Sequence, residues 1–94
     1  MPRISRDTEP APCGENLTWT FNAVQSTLII RGTGTMDSRS YASKYDWYVI
    51  RDSVRHIVIE EGATSIGTYA FQEFSRLEDV SLPSTLTTLG KQAF

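Results

Sequence analysis

The stretch from Val54 to Phe94 repeats itself. Val54-x-x-Ile57-x-Ile59-x-x-x-Ala63-x-x-Ile66-Gly67-x-x-Ala70-Phe71 is followed, 23 positions on and without a gap, by Leu77-x-x-Val80-x-Leu82-x-x-x-Leu86-x-x-Leu89-Gly90-x-x-Ala93-Phe94. A fixed period in the twenties is the pattern of a solenoid, in which short supersecondary units stack and share a core. Within each unit Ile57-x-Ile59 and Val80-x-Leu82 alternate with period two, so each pair lies on one face of a short strand. His56, Val58 and Glu60 point the other way in the first unit, and Asp79, Ser81 and Pro83 in the second. The Gly-x-x-Ala-Phe tail calls for a reversal. Glycine tolerates positive φ, so Gly67 and Gly90 are expected to turn the chain. Alanine allows close backbone approach, and Phe71 is expected between successive coils, almost fully buried. Pro83 stands just past its strand, where a missing N–H costs little.

Ahead of the repeat the chain reads as a β-hairpin. Leu17, Trp19 and Phe21 alternate on one face of a first strand. Thr27 to Arg31 is β-branched and apolar, with Leu28 and Ile30 on one face and Ile29 opposite. Asn22 to Ser26 supplies the reversal. Gly32-Thr33-Gly34 follows the second strand, but a dinucleotide fingerprint would need a third glycine where Asp37 stands, so a turn is the reading. Tyr41 to Val54 is aromatic-rich. The spacings Tyr41/Tyr45 and Trp47/Ile50 suit a short helix, with Ser43 as its cap. These rings suit a platform for a sugar ring or a partner, or a cover over the open end of the repeat. The cover is the simpler role, because stacked repeats need a terminal cap.

Composition bounds the function. The net charge of −2 makes no electrostatic case for nucleic acid or an anionic membrane. No apolar run is long enough to span a bilayer, so no membrane insertion is expected. Residues 1–12 are polar, carry three prolines and lack the apolar core of a signal peptide, so they read as a flexible leader. Cys13 is the only cysteine and His56 the only histidine, so no intramolecular disulfide and no Cys/His metal site is expected. Glu60-Glu61 place neighbouring carboxylates on opposite sides of a strand, with no third acid to complete an acid/base or metal site. No catalytic residue, cofactor or metal is therefore assigned.

Leu77-x-x-Val80-x-Leu82-Pro83-x-x-Leu86-x-x-Leu89-Gly90-x-x-Ala93-Phe94, with its period, closely resembles the BspA-type leucine-rich repeat of microbial surface proteins. Cys13-Gly14, Leu17-Thr18-Trp19, Leu28-Ile29-Ile30-x-Gly32-x-Gly34-x-Met36 and Trp47 resemble the segment that often precedes such repeats. Where the family often has cysteine, three residues past Ala-Phe, this chain has Phe74, a change that conserves packing. The resemblance implies a cell-surface or secreted protein and an adhesive, non-enzymatic role. The residues are equally compatible with a signal lying outside this chain and with a cytosolic protein.

The expected fold is mainly β with short helical turns. A flexible leader (1–12) precedes an N-terminal β-hairpin cap segment (13–53) and a short leucine-rich-repeat solenoid of two units (54–94). The expected function is an interaction or adhesion module for a host or neighbouring-cell macromolecule, protein or glycan. The ligand-facing candidates are His56, Val58, Glu60, Asp79 and Ser81. The alternative is a purely structural capping segment of a longer array. The second unit leaves Val80, Leu82, Leu86 and Leu89 partly covered, which predicts a homodimer through the uncapped C-terminal coil.

Overall fold

The computed structural model describes residues 11–38 and 41–94. The leader expected over 1–12 lies outside the described residues except for Ala11 and Pro12. The strands are β1 (Ala11–Pro12), β2 (Leu17–Asn22), β3 (Thr27–Gly32), β4 (His56–Ile59), β5 (Ser65–Ile66), β6 (Asp79–Ser81) and β7 (Thr88–Leu89). The larger sheet has the order β1-β2-β3-β4-β6, antiparallel up to β3 and parallel beyond it. β5 and β7 pair in parallel on a second side of the coils.

The hairpin forms where alternation predicts it. Leu17, Trp19 and Phe21 are buried on β2, Leu28 and Ile30 on β3, and Ile29 faces out half-buried. The reversal is closed by Asn22, whose Oδ1 accepts a hydrogen bond from the Gln25 N–H at 3.0 Å, and by Ser26 at φ 54°. β3 then does more than complete the hairpin. It is the first rung of a parallel ladder, with Leu28, Ile57 and Val80 in one row and Ile30 beside Ile59 in the next. The offset from β3 to β4 is 29 residues, and from β4 to β6 it is 23. Met36 still meets Ser65 at an offset of 29, whereas Tyr45 meets Thr68 and Trp47 meets Ala70 at 23. The extra residues of the first coil therefore enter between Met36 and Tyr45.

Two 3-10 segments, Ala42–Lys44 and Asp46–Ser53, occupy the aromatic stretch. Trp47 and Ile50 are buried, as helical spacing suggests. Ser43 is not the cap. It lies inside the first segment, which starts from Tyr41 without a side-chain cap bond. Tyr41 and Tyr45 do not share a face either: Tyr45 is buried and Tyr41 is 65% exposed. The extended backbone at Tyr45 (φ −83°, ψ 141°) breaks the helix between the two segments, so a continuous four-residue spacing does not apply.

The expected glycine turn is also revised. Gly67 and Gly90 are absent from the positive-φ glycines, and the left-handed residues of the two tails are Tyr69 (φ 61°) and Gln92 (φ 50°). The two glycines serve close approach instead. A Cβ on Gly67 would collide with the Tyr45 hydroxyl and stand 2.7 Å from the Asp37 carbonyl oxygen, and one on Gly90 would collide with the backbone of Thr68. Coils stack there through the Gly90 N–H to Ile66 O bond at 2.8 Å and the Phe71 N–H to Ala93 O bond at 2.7 Å.

The interior is an aromatic column. Tyr45 stacks on Trp47 at 5.2 Å between ring centroids, Trp47 on Phe71 at 5.2 Å, and Phe71 on Phe94 at 5.3 Å. Trp19 and Phe74 pack edge-on against Trp47 and Phe71. Phe71 is buried as expected, and the buried Phe74 fills its position. Such pairs contribute about 0.5–1.5 kcal/mol each beyond area burial. Trp47 Nε1 donates to the Ala70 carbonyl at 2.6 Å, and Tyr45 Oη to that of Thr68 at 2.6 Å, so the column is also tied coil to coil by hydrogen bonds. Burial declines along the ladder. Ile57 and Ile59 are buried, Val80 is half-buried, and Leu82, expected on the inner face, is 47% exposed. It is thus not separated from the exposed Ser81, because no rung among the described residues covers β6. Pro83, expected to face outward, is buried.

Candidate functional site

The outer face of the ladder is set by the same period-two geometry that buries the inner one. His56 pairs in register with Asp79, and Val58 with Ser81. His56, Val58 and Glu60 are half-buried; Asp79 and Ser81 are exposed. His56 Nδ1 lies 3.0 and 3.1 Å from the two Asp79 carboxylate oxygens, which links the two rungs at the surface. Glu60 does not pair with a residue of its own coil. Its Oε2 accepts from Arg31 Nε at 3.1 Å, one coil earlier. The two side chains are 59% and 44% exposed, and ion pairs so open to water contribute little to stability.

The ladder brings together more than the five predicted positions. β3 sets Thr27 beside His56 and Ile29 beside Val58, and β2 sets Thr18 beside Arg31 and Thr20 beside Ile29. The outer face thus runs from Thr18 and Thr20 through Ile29 and Arg31 to Val58, Glu60, Asp79 and Ser81. Alternation within Leu28-Ile29-Ile30 places Ile29 outward. It does not show that the hairpin and the repeat share one sheet, because the joining offset differs from the repeat period.

Other titratable groups are occupied structurally. Glu61 Oε1 accepts from the Ser84 N–H and Oε2 from the Ser84 hydroxyl, both at 2.8 Å. The Ser84 N–H, and then its hydroxyl, holds this carboxyl below the usual carboxylate range. Burial pushes the Cys13 thiol up to about 12, with Asp37 and then Asp46 adding to the shift. A thiol so placed stays protonated at neutral pH and is a poor nucleophile. Among the described residues no group of three or more His, Cys, Asp or Glu is arranged to hold a metal ion. No helix among them is long and apolar enough to cross a membrane.

A parallel ladder of short rungs, tied by glycine-mediated close approach and a column of stacked rings, defines a leucine-rich-repeat type of fold. The chain belongs to the BspA-type leucine-rich repeat family, whose repeat-region model matches residues 43–94. A crystallised leucine-rich repeat protein from Eubacterium ventriosum is similar, with 28% identity and a TM-score of 0.82 over 87% of this chain. The chain spans 22% of the length of that protein. No curated protein matches it significantly.

Proposed function

We propose that this chain is a non-enzymatic interaction module of a microbial cell-surface or secreted protein, engaging a host or neighbouring-cell macromolecule, protein or glycan, through the outer face of its ladder. The observation that carries this reading is the row structure itself. His56, Val58, Glu60, Asp79 and Ser81 stand beside Thr20, Ile29 and Arg31 on one continuous face that the core does not use. A sheet face with polar groups at the regular spacing of the ladder suits recognition of an extended partner. The family membership supports an interaction role. In this reading residues 13–53 form the cap segment and 54–94 two repeat units of a solenoid, with a second copy covering the C-terminal coil.

Surface plasmon resonance against immobilised extracellular-matrix proteins and glycans tests the face. Saturable binding is expected, weakened at least tenfold by a double Asp79→Lys, Ser81→Lys variant whose circular dichroism is unchanged. Binding that is indifferent to both substitutions, or absent throughout, favours the alternative in which the segment only caps a longer array. The antiparallel β2–β3 hairpin at the start of the ladder lends that alternative its support.

A further inference from the structure

Away from the ladder, two stretches distant in sequence enclose a cleft of about 170 Å³. Tyr41, Ser43 and Tyr48 come from the 3-10 region, and Tyr69, Gln72 and Glu73 from the segment after β5, with buried Ala42 also lining it. We infer that this cleft is a binding site for one ring of a neutral carbohydrate. It shares no residue with the outer face of the ladder.

The chemistry of the walls selects the ligand class. Three tyrosines line the cleft, and an apolar ring with a polar rim is the side chain that matches a pyranose, which has an apolar C–H face and a rim of hydroxyls. Among the described residues the hydroxyls of Tyr41, Ser43 and Tyr69 have no intramolecular hydrogen bond and are available to a ligand. Gln72 donates through Nε2 to Gln92 Oε1 at 3.1 Å, which fixes the amide and leaves its own Oε1 as an acceptor. The Glu73 carboxylate accepts from Tyr48 Oη at a long 3.4 Å through Oε1, leaving Oε2 to accept from a sugar hydroxyl.

The walls are also held in place. The Arg51 guanidinium lies 3.9 Å from the centroid of the Tyr48 ring and donates to the Tyr48 carbonyl at 2.9 Å. Tyr48 is therefore set before any ligand arrives, which lowers the ordering cost of binding. Glu73 sits at φ 69°, a left-handed conformation that a non-glycine residue adopts only when its surroundings impose it. Charge narrows the choice further. Glu73 repels an anionic ligand, and Arg51 already occupies one face of Tyr48, which disfavours a second cation there. A neutral polyhydroxyl ligand remains. The cleft is smaller than the ~300–1,000 Å³ of drug-sized pockets, so one ring fits and the rest of a glycan chain lies outside.

Two-dimensional amide NMR of the 94-residue chain, titrated separately with chitotriose, cellotriose, maltotriose and mannotriose at millimolar concentration, tests the site. Choline chloride serves as the cationic comparison. At least one sugar is expected to give saturable shifts centred on Tyr41, Ser43, Tyr48, Tyr69, Gln72 and Glu73. Tyr41→Ala, at an exposed residue, and Glu73→Gln are each expected to weaken that binding at least tenfold while the remaining spectrum is preserved. Asp79→Lys, on the ladder face, is expected to leave it unchanged, so failure of the ladder reading and failure of this one are separable. The inference is overturned if no sugar saturates, if the shifts centre elsewhere, if choline alone binds, or if Tyr41→Ala and Glu73→Gln bind as tightly as the parent.

Discussion

Gly67 shows how a single residue type carries two different messages. Its φ is not in the left-handed region, so backbone conformation alone would tolerate alanine. Space forbids it. The added methyl would press on the Tyr45 hydroxyl, on the Asp37 carbonyl oxygen at 2.7 Å and on Ser38 Cα at 3.2 Å. Tyr45 cannot swing aside without giving up its 2.6 Å bond to the Thr68 carbonyl. Gly67→Ala is therefore expected to cost about 1–3 kcal/mol, the usual range for overpacking a filled site. Part of that loss is expected to return in a Tyr45→Phe background, where the hydroxyl is gone, and a double-mutant cycle in urea reads the coupling directly. A Gly67→Ala protein as stable as the parent would show that the coils can separate at this point. Nothing local in Ile66-Gly67-Thr68 announces this. The atoms that exclude a Cβ come from residues 22 and more positions earlier, and only the stacking of coils brings them there.

Between elements, the coils are joined by side chains one repeat apart as well as by backbone. Arg55 donates to Glu78, Ser75 to Asp52, and Ser84 to Glu61 twice. The Glu61 pair has a pH signature. The Ser84 donors hold the folded carboxyl below its ordinary range, so in acid the unfolded chain takes up this proton first. The stabilisation is present above the unfolded glutamate value and is lost as pH falls through the lower, folded one. Glu61→Gln is expected to flatten the fall of the urea midpoint with acid relative to the parent. Parallel pH curves for the two proteins would mean that the Ser84 bonds do not hold in solution. The elements differed in how far they could be read from sequence. Ile57 and Val80 fall in register because the alternating pairs recur at one spacing, and the outward candidates His56, Val58, Asp79 and Ser81 follow from the same alternation, which ends at Leu82, past the end of β6 and exposed. The place of Leu28-x-Ile30 as a rung did not follow, because the residues inserted between Met36 and Tyr45 take it out of the period. The tyrosine cleft was legible only as an aromatic-rich stretch. Its second wall, from Tyr69 to Glu73, lies in the turn of the next coil, and no periodic pattern links the two.

For the molecule as a whole, the distribution of exposed apolar groups sets its behaviour in solution. Leu82 is 47% exposed, Leu89 55% and Phe94 47%, while Val80 and Leu86 are half-buried beside them. Inside the ladder the equivalent positions are covered by the next coil: Ile59 is buried, and Phe71 is sealed by Phe94 as Trp47 is by Phe71. At the outer coil Leu82 and Leu89 remain open, and among the described residues no strand pairs with the far edge of β6 beside them. Covering a large aliphatic side chain completely gains about 1.5–3 kcal/mol, so several half-covered ones favour any surface of matching shape. A second copy offers such a surface, and a two-fold arrangement buries the same patch on both. Pairing of two β6 edges would also satisfy backbone groups that otherwise face water. The 94-residue chain is therefore expected to associate as its concentration rises, with light scattering across a dilution series moving from the monomer mass to twice that value. A Leu82→Glu, Leu89→Glu variant places charge on the patch without touching Trp47 or Phe71. It is expected to stay monomeric with the parent's circular dichroism. If the parent too is a monomer throughout the micromolar range, the outer coil needs no cover and Leu82 and Leu89 are tolerated in water. If the variant associates as the parent does, the contact lies elsewhere on the molecule.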